Sequence, residues 1–73
     1  MGRLGRFSGA EVCRILADHG FREVRRKGSH IVMQLQQEHS SRTVPVPDHK
    51  ELKTGTLSGI IRLSGLPRQL FEV

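Results

Sequence analysis

The spacing of apolar residues changes period twice along this chain. Val12, Ile15 and Leu16 recur at the steps of a helix face, residues 30–36 (HIVMQLQ) alternate, and Leu57, Ile60 and Ile61 return to helical steps. Side chains repeat every 3.6 residues on a helix and every 2.0 on a strand, so neither pattern can bury its apolar side in the other conformation. Helices are therefore expected towards both ends of the chain, with strands between them.

Local punctuation sharpens these limits. Ser8-Gly9-Ala10-Glu11 reads as a capping box, in which the Ser8 hydroxyl caps a helix start while Glu11 reaches back. The first helix is predicted over about residues 9–19, stopped by Gly20, with Phe21 folding back on its last turn and His19 placed favourably for the helix dipole. REVRRK, residues 22–27, reads as a charged strand whose one apolar member is Val24. Gly28-Ser29 is short enough for a tight hairpin turn into a second strand, His30 to Gln36. A polar turn over residues 38–41 leads to a third strand, Arg42 to Val46, which Pro45 confines to a sheet edge or to its own end. The loop PVPDHKELKTGT then enters the second helix, with Thr54 or Thr56 as its expected cap and Gly65-Leu66-Pro67 as its stop. Leu70 and Phe71 are placed to cover the edge of the core.

Three antiparallel strands and two amphipathic helices share one way to bury their apolar sides: both helices on the same face of the sheet. The predicted fold is a two-layer α+β sandwich of order α-β-β-β-α, its other sheet face left open. With 73 residues, the chain is read as one domain, residues 1–73, with a lead segment at 1–7 and a C-terminal tail at 67–73. A chain of this size buries only about 60% of its unfolded surface, so stability should be modest and sensitive to partners. Hydrophobic residues make up 36%, and the 8 glycines bring the apolar share to the ordinary range of a folded domain.

Composition also removes several functional classes. A single cysteine, Cys13, excludes an internal disulfide, and its position in a helical apolar pattern suits a small core residue. No apolar run is long enough for a transmembrane helix, and the start MGRLGR lacks the apolar region of a signal peptide, so a cytoplasmic protein is expected. His19, His30, His39 and His49 form no zinc-ligand spacing with the one cysteine. Paired carboxylates, a nucleophile elbow and a phosphate-binding glycine loop are absent, so neither a metal nor a cofactor is expected. With three Phe and no Trp or Tyr, the chain lacks the aromatic platform of single-strand readers.

What remains is cationic. Net charge is +5, and Arg22, Arg25, Arg26 and Lys27 cluster in the first predicted strand. Such a cluster suits a polyanion, because cation–phosphate contacts supply most non-specific nucleic-acid affinity; a solvated basic face with no ligand is the alternative. Alternation puts His30, Val32 and Gln34 on one side of the second strand and Ile31, Met33 and Leu35 on the other, which is the more apolar. His30 thus falls on the open side, beyond the cations, where an imidazole can donate to a phosphate or exchange protons near neutral pH. From spacing alone, a solvated turn histidine is the first reading. Lys50 and Lys53 precede the second helix, whose free N-terminal amides favour an anion, although ordinary surface charge explains them as well.

The stretch GFREVRRKGSHIVM, followed by VPVPDHKELKTGTLSGIIRLSGL, resembles the HicA-type toxins of bacterial and archaeal toxin–antitoxin pairs. The resemblance runs from Ser8 to about Leu66, and its most specific parts are Gly28-Ser29-His30 and the segment from Pro47 to Leu57. One departure is the absence of a glycine turn between Gln36 and Arg42. The resemblance implies a double-stranded-RNA-binding-domain-like fold, cleavage of mRNA, and neutralisation by a HicB antitoxin. It also implies that His30 is catalytic, with Gly28 and Ser29 as its supporting motif. The expectation is then an mRNA interferase in which Arg25, Arg26 and Lys27 position the RNA backbone. Lys50 and Lys53, with the amides of Gly55 and Thr56, would hold a second phosphate. The rival expectation is a non-catalytic RNA-binding or adaptor module on the same surface.

Overall fold

The structure, a computed structural model, describes residues 2–73; Met1 of the lead segment lies outside the described residues. Its elements follow in the order α1 (Gly9–Asp18), β1 (Arg22–Lys27), β2 (His30–Gln36), β3 (Ser41–Pro47), α2 (Thr54–Ser64) and a 3-10 turn at Arg68–Phe71. This is the expected α-β-β-β-α order, with an open antiparallel sheet of strand order β1-β2-β3.

Each helix forms for the reasons its ends suggest. Ser8 accepts from the Glu11 amide at 3.0 Å and the Glu11 carboxylate accepts from the Ser8 amide at 2.8 Å, completing the capping box of α1. Gly20 and Gly65 follow the helices at φ of 96° and 72°, and Phe21 folds back so that its amide donates to the Leu16 carbonyl. His19 lies one residue beyond α1, as its C-terminal cap, and its Nδ1 donates to the Ile15 carbonyl at 2.9 Å. At α2 the expected threonine cap is not found. Lys53 takes the cap position with extended backbone and no side-chain bond, while Thr54 and Thr56 are already inside the first turn. Leu52 explains the shift: it is buried, and its amide is held by the Phe7 carbonyl at 2.8 Å, which sets the chain one residue earlier than hydroxyl capping requires.

One apolar layer joins the sheet to both helices. Ile31 and Met33 of β2 and Val44 and Val46 of β3 meet Val12 and Leu16 of α1 and Leu57, Ile60 and Ile61 of α2. Fully burying a side chain of this kind stabilises the fold by roughly 1.5–3 kcal/mol, so these few residues dominate its stability. β3 lies at an edge, as Pro45 requires, and extends one residue further at each end than expected. The β2–β3 turn lacks glycine because it needs none. Residues 37–40 close through the Gln37 amide to the Ser40 carbonyl at 2.8 Å, and no residue there adopts positive φ.

β1 differs from the other strands. All six of its residues are exposed, and its register against β2 shifts between Glu23 and Arg25, which makes Val24 a bulge that is 47% exposed. Bulges are common on edge strands, where they re-aim side chains. The lead segment and tail pair with each other: Leu4 bridges Glu72, the Gly5 amide donates to the Phe71 carbonyl, and Phe7 meets the fully buried Phe71 edge-on at 6.2 Å.

Candidate functional site

The β1–β2 hairpin turns on two residues. Gly28 sits at φ of 60° and Ser29 does not adopt positive φ, the pattern of a II′ turn, which needs glycine at its first central position. Lys27 and His30 are therefore direct cross-strand neighbours, and His30 also pairs with Pro47 of β3. Ile31 is buried under the helices, so His30, one residue earlier, stands exposed on the opposite face.

The bulge decides which cations join it. Cross-strand partners share a face. Arg22 pairs with Gln34, Arg25 with Val32 and Lys27 with His30, which places all three cations on the uncovered face. Glu23 pairs with Met33 and Arg26 with Ile31, on the helix side. Across β2, Gln34 donates to the Thr43 hydroxyl at 3.2 Å, continuing the polar surface towards β3. A shallow depression lined by Gly20, Arg22, Val24, Gln34 and Gln36 occupies the far end of this face, and another lies on α1 beside Ala10, Glu11 and Arg14. His30 lines neither of them.

Of the residues singled out in the sequence, the hairpin brings together Arg25, Lys27 and His30 around Gly28 and Ser29. Arg26 is separated from them. Its Nη1 lies 2.9 Å from Asp48 Oδ2 at the start of the β3–α2 loop, and this hydrogen bond raises the guanidinium pKa further. The Asp48 amide donates to the Ser29 carbonyl at 2.6 Å, and the Gly9 amide donates to the His49 carbonyl at 2.9 Å. A Cβ on Gly9 would collide with the Pro47 carbonyl oxygen, so only glycine lets α1 approach this loop so closely. Lys50, Lys53, Gly55 and Thr56 form a second exposed group at the loop and the start of α2. That helix start has no side-chain cap and no acidic residue in its first turn.

Two further residues belong to the description of the site. Arg22 joins the open face only because of the bulge, and no feature of the sequence announces a bulge at Val24. Asp48 pairs with a residue 22 positions away, a relation that spacing does not carry. Cys13 is half-buried; burial, followed by the Glu23 and Asp48 carboxylates, pushes its thiol up, away from the reactive thiolate. Among the described residues, no three His, Cys, Asp or Glu side chains come together as metal ligands would.

These features define a small α+β domain whose uncovered sheet face carries cations and an exposed histidine at a tight hairpin. A family model described as the HicA toxin of bacterial toxin-antitoxin systems matches residues 9–66, from the first residue of α1 to just beyond α2. The chain belongs to this HicA toxin family. Membership makes it the toxin of a toxin–antitoxin system, with an antitoxin as its partner. No individual curated protein matches the chain. Among the described residues, no helix is long and apolar enough to cross a membrane.

Proposed function

We propose that this toxin is an mRNA interferase: a cytoplasmic, metal-independent endoribonuclease that blocks translation and is neutralised by a HicB-type antitoxin. The observation that carries this reading is the exposed imidazole of His30 paired across the hairpin with Lys27, on the sheet face that no helix covers. The α-β-β-β-α order, resembling double-stranded-RNA-binding domains, supports RNA as the ligand class.

The chemistry needs little more than these groups. The nucleophile is the substrate's own 2′-hydroxyl, so no metal-bound water is required. His30 takes the O2′ proton as the O2′–P bond forms, the P–O5′ bond breaks, and the leaving oxygen takes a proton from water. The product is a 2′,3′-cyclic phosphate. Lys27 pairs with His30 across the hairpin and stabilises the phosphorane as it gains negative charge, since fixed cations do so without reorganising. Arg22 and Arg25 extend the cationic track along the backbone. Lys50 and Lys53, with the first amides of α2 around Gly55 and Thr56, take a second phosphate.

Expression of the wild type beside His30→Ala, with growth and RNA integrity followed, tests the assignment. Arrest and RNA loss in the wild type alone support it; equal cleavage by both removes His30 from the chemistry. Cleavage should persist in excess EDTA and leave cyclic phosphate ends. RNA binding without cleavage by the wild type would favour the adaptor module instead. The antitoxin is expected to cover His30 and present acidic groups to β1, because opposite charge speeds encounter with a polyanion-binding face. Saturating antitoxin should then raise the thermal midpoint, by linkage worth roughly 2.7 kcal/mol at one hundred times Kd.

A further inference from the structure

We infer that Arg26 is a positioning residue whose ion pair with Asp48 fastens the hairpin of His30 to the loop leading into α2, and that it does not contact RNA. The inference rests on the ribonuclease reading of His30 and goes beyond it, because it divides a run of three adjacent cations into two jobs. Arg25 and Lys27 pair with Val32 and His30 on the open face, whereas Arg26 pairs with Ile31, whose side chain is buried under the helices. A phosphate crossing the open face meets the first two and passes the wrong side of the sheet for the third.

The partner strengthens the case. Asp48 holds the hairpin twice: its carboxylate takes Arg26 Nη1 at 2.9 Å, and its amide donates to the Ser29 carbonyl at 2.6 Å, one residue before His30. Its neighbour Pro47 is the cross-strand partner of His30, and the next residue, His49, is tied to the start of α1. The latch thus fixes where the His30 hairpin stands relative to the Lys50–Thr56 group. A phosphate at Arg26 would also have to displace a carboxylate and approach its charge. Among the described residues, Arg25 and Lys27 have no acidic partner within salt-bridge distance.

The test compares Arg26→Gln, Asp48→Asn, the double variant and the exchanged pair Arg26→Asp/Asp48→Arg with Arg25→Gln. Readouts are kcat, KM, the salt dependence of RNA binding, and hydrogen exchange of the Asp48 amide. Arg26→Gln and Asp48→Asn should each lower kcat about two- to five-fold, the scale of an exposed ion pair, with KM and salt slope unchanged. The double variant should be no worse than either single one, the exchanged pair should recover activity, and Asp48 exchange should accelerate by the same factor in Arg26→Gln. Arg25→Gln should instead lower the salt slope by about 1. A lowered slope and raised KM in Arg26→Gln, with tighter RNA binding in Asp48→Asn, would show a phosphate contact and overturn the inference, as would unchanged Asp48 exchange. If the wild type cleaves no RNA, the ribonuclease reading falls, and the exchange and salt-slope measurements still decide the latch.

Discussion

On the helix side of the sheet, Ile31, Met33, Val44 and Val46 are each no more than 3% exposed and contribute to one continuous apolar layer. On the other side stand Arg22, Arg25 and Lys27 with His30, all exposed and covered by no helix of the fold. β2 supplies both surfaces from alternate positions. A covered face that holds the fold together lets the open face gather like charges at tolerable cost, and allows its side chains to be exchanged without opening a cavity. On the ribonuclease reading, the two faces therefore separate stability from chemistry at neighbouring residues.

His30 and Ile31 give the sharpest test. On the ribonuclease reading, His30→Ala should lower cleavage by about 10²–10⁴-fold, the usual contribution of a general acid or base. Its urea midpoint should stay near that of the wild type, since surface substitutions fall within about 0.5 kcal/mol. Ile31→Ala should instead lose about 2–5 kcal/mol in urea unfolding, a large part of the stability available to so small a domain. If His30→Ala unfolds as readily as Ile31→Ala, the division between the faces is lost.

Smaller effects refine the comparison within β1. Arg25→Gln should reduce the slope of log affinity against log salt by about 1, with equal weakening across RNA sequences. Arg22→Gln should do the same, because the bulge brings it to the same face. An unchanged slope for Arg22 would confine the RNA path to the hairpin end. The smallest effects belong to the helix starts. Ser8→Ala removes half of a formed capping box and should cost about 1 kcal/mol by thermal or urea unfolding. Thr56→Ala should change stability by less than about 0.5 kcal/mol, since no hydroxyl caps α2. A loss at Thr56 equal to that at Ser8 would mean that the α2 start is as closed as that of α1.

Much of this arrangement is local enough to read along the chain. The capping box, the Gly20 and Gly65 stops, the two-residue turn at Gly28-Ser29 and the burial of Ile31 and Met33 all depend on residues within a few positions of each other. Backbone propensity and side-chain period act at that range, so the element order and the open position of His30 followed from them. The cap of α2 did not, because Leu52 is anchored by Phe7 and overrides the preference of the threonines beside it.

Which of the cations share the open face lay beyond such reasoning. Strict alternation along β1 would place Arg22 with Arg26, and Arg25 with Lys27. The bulge at Val24 reverses the order on one side, bringing Arg22 to the face of Arg25 and Lys27. Arg26 then finds Asp48, 22 residues later, only because β3 returns beside His30 and the Asp48 amide closes on Ser29. Periodicity states which residues can share a face; the register of paired strands and the loops that close them state which residues do.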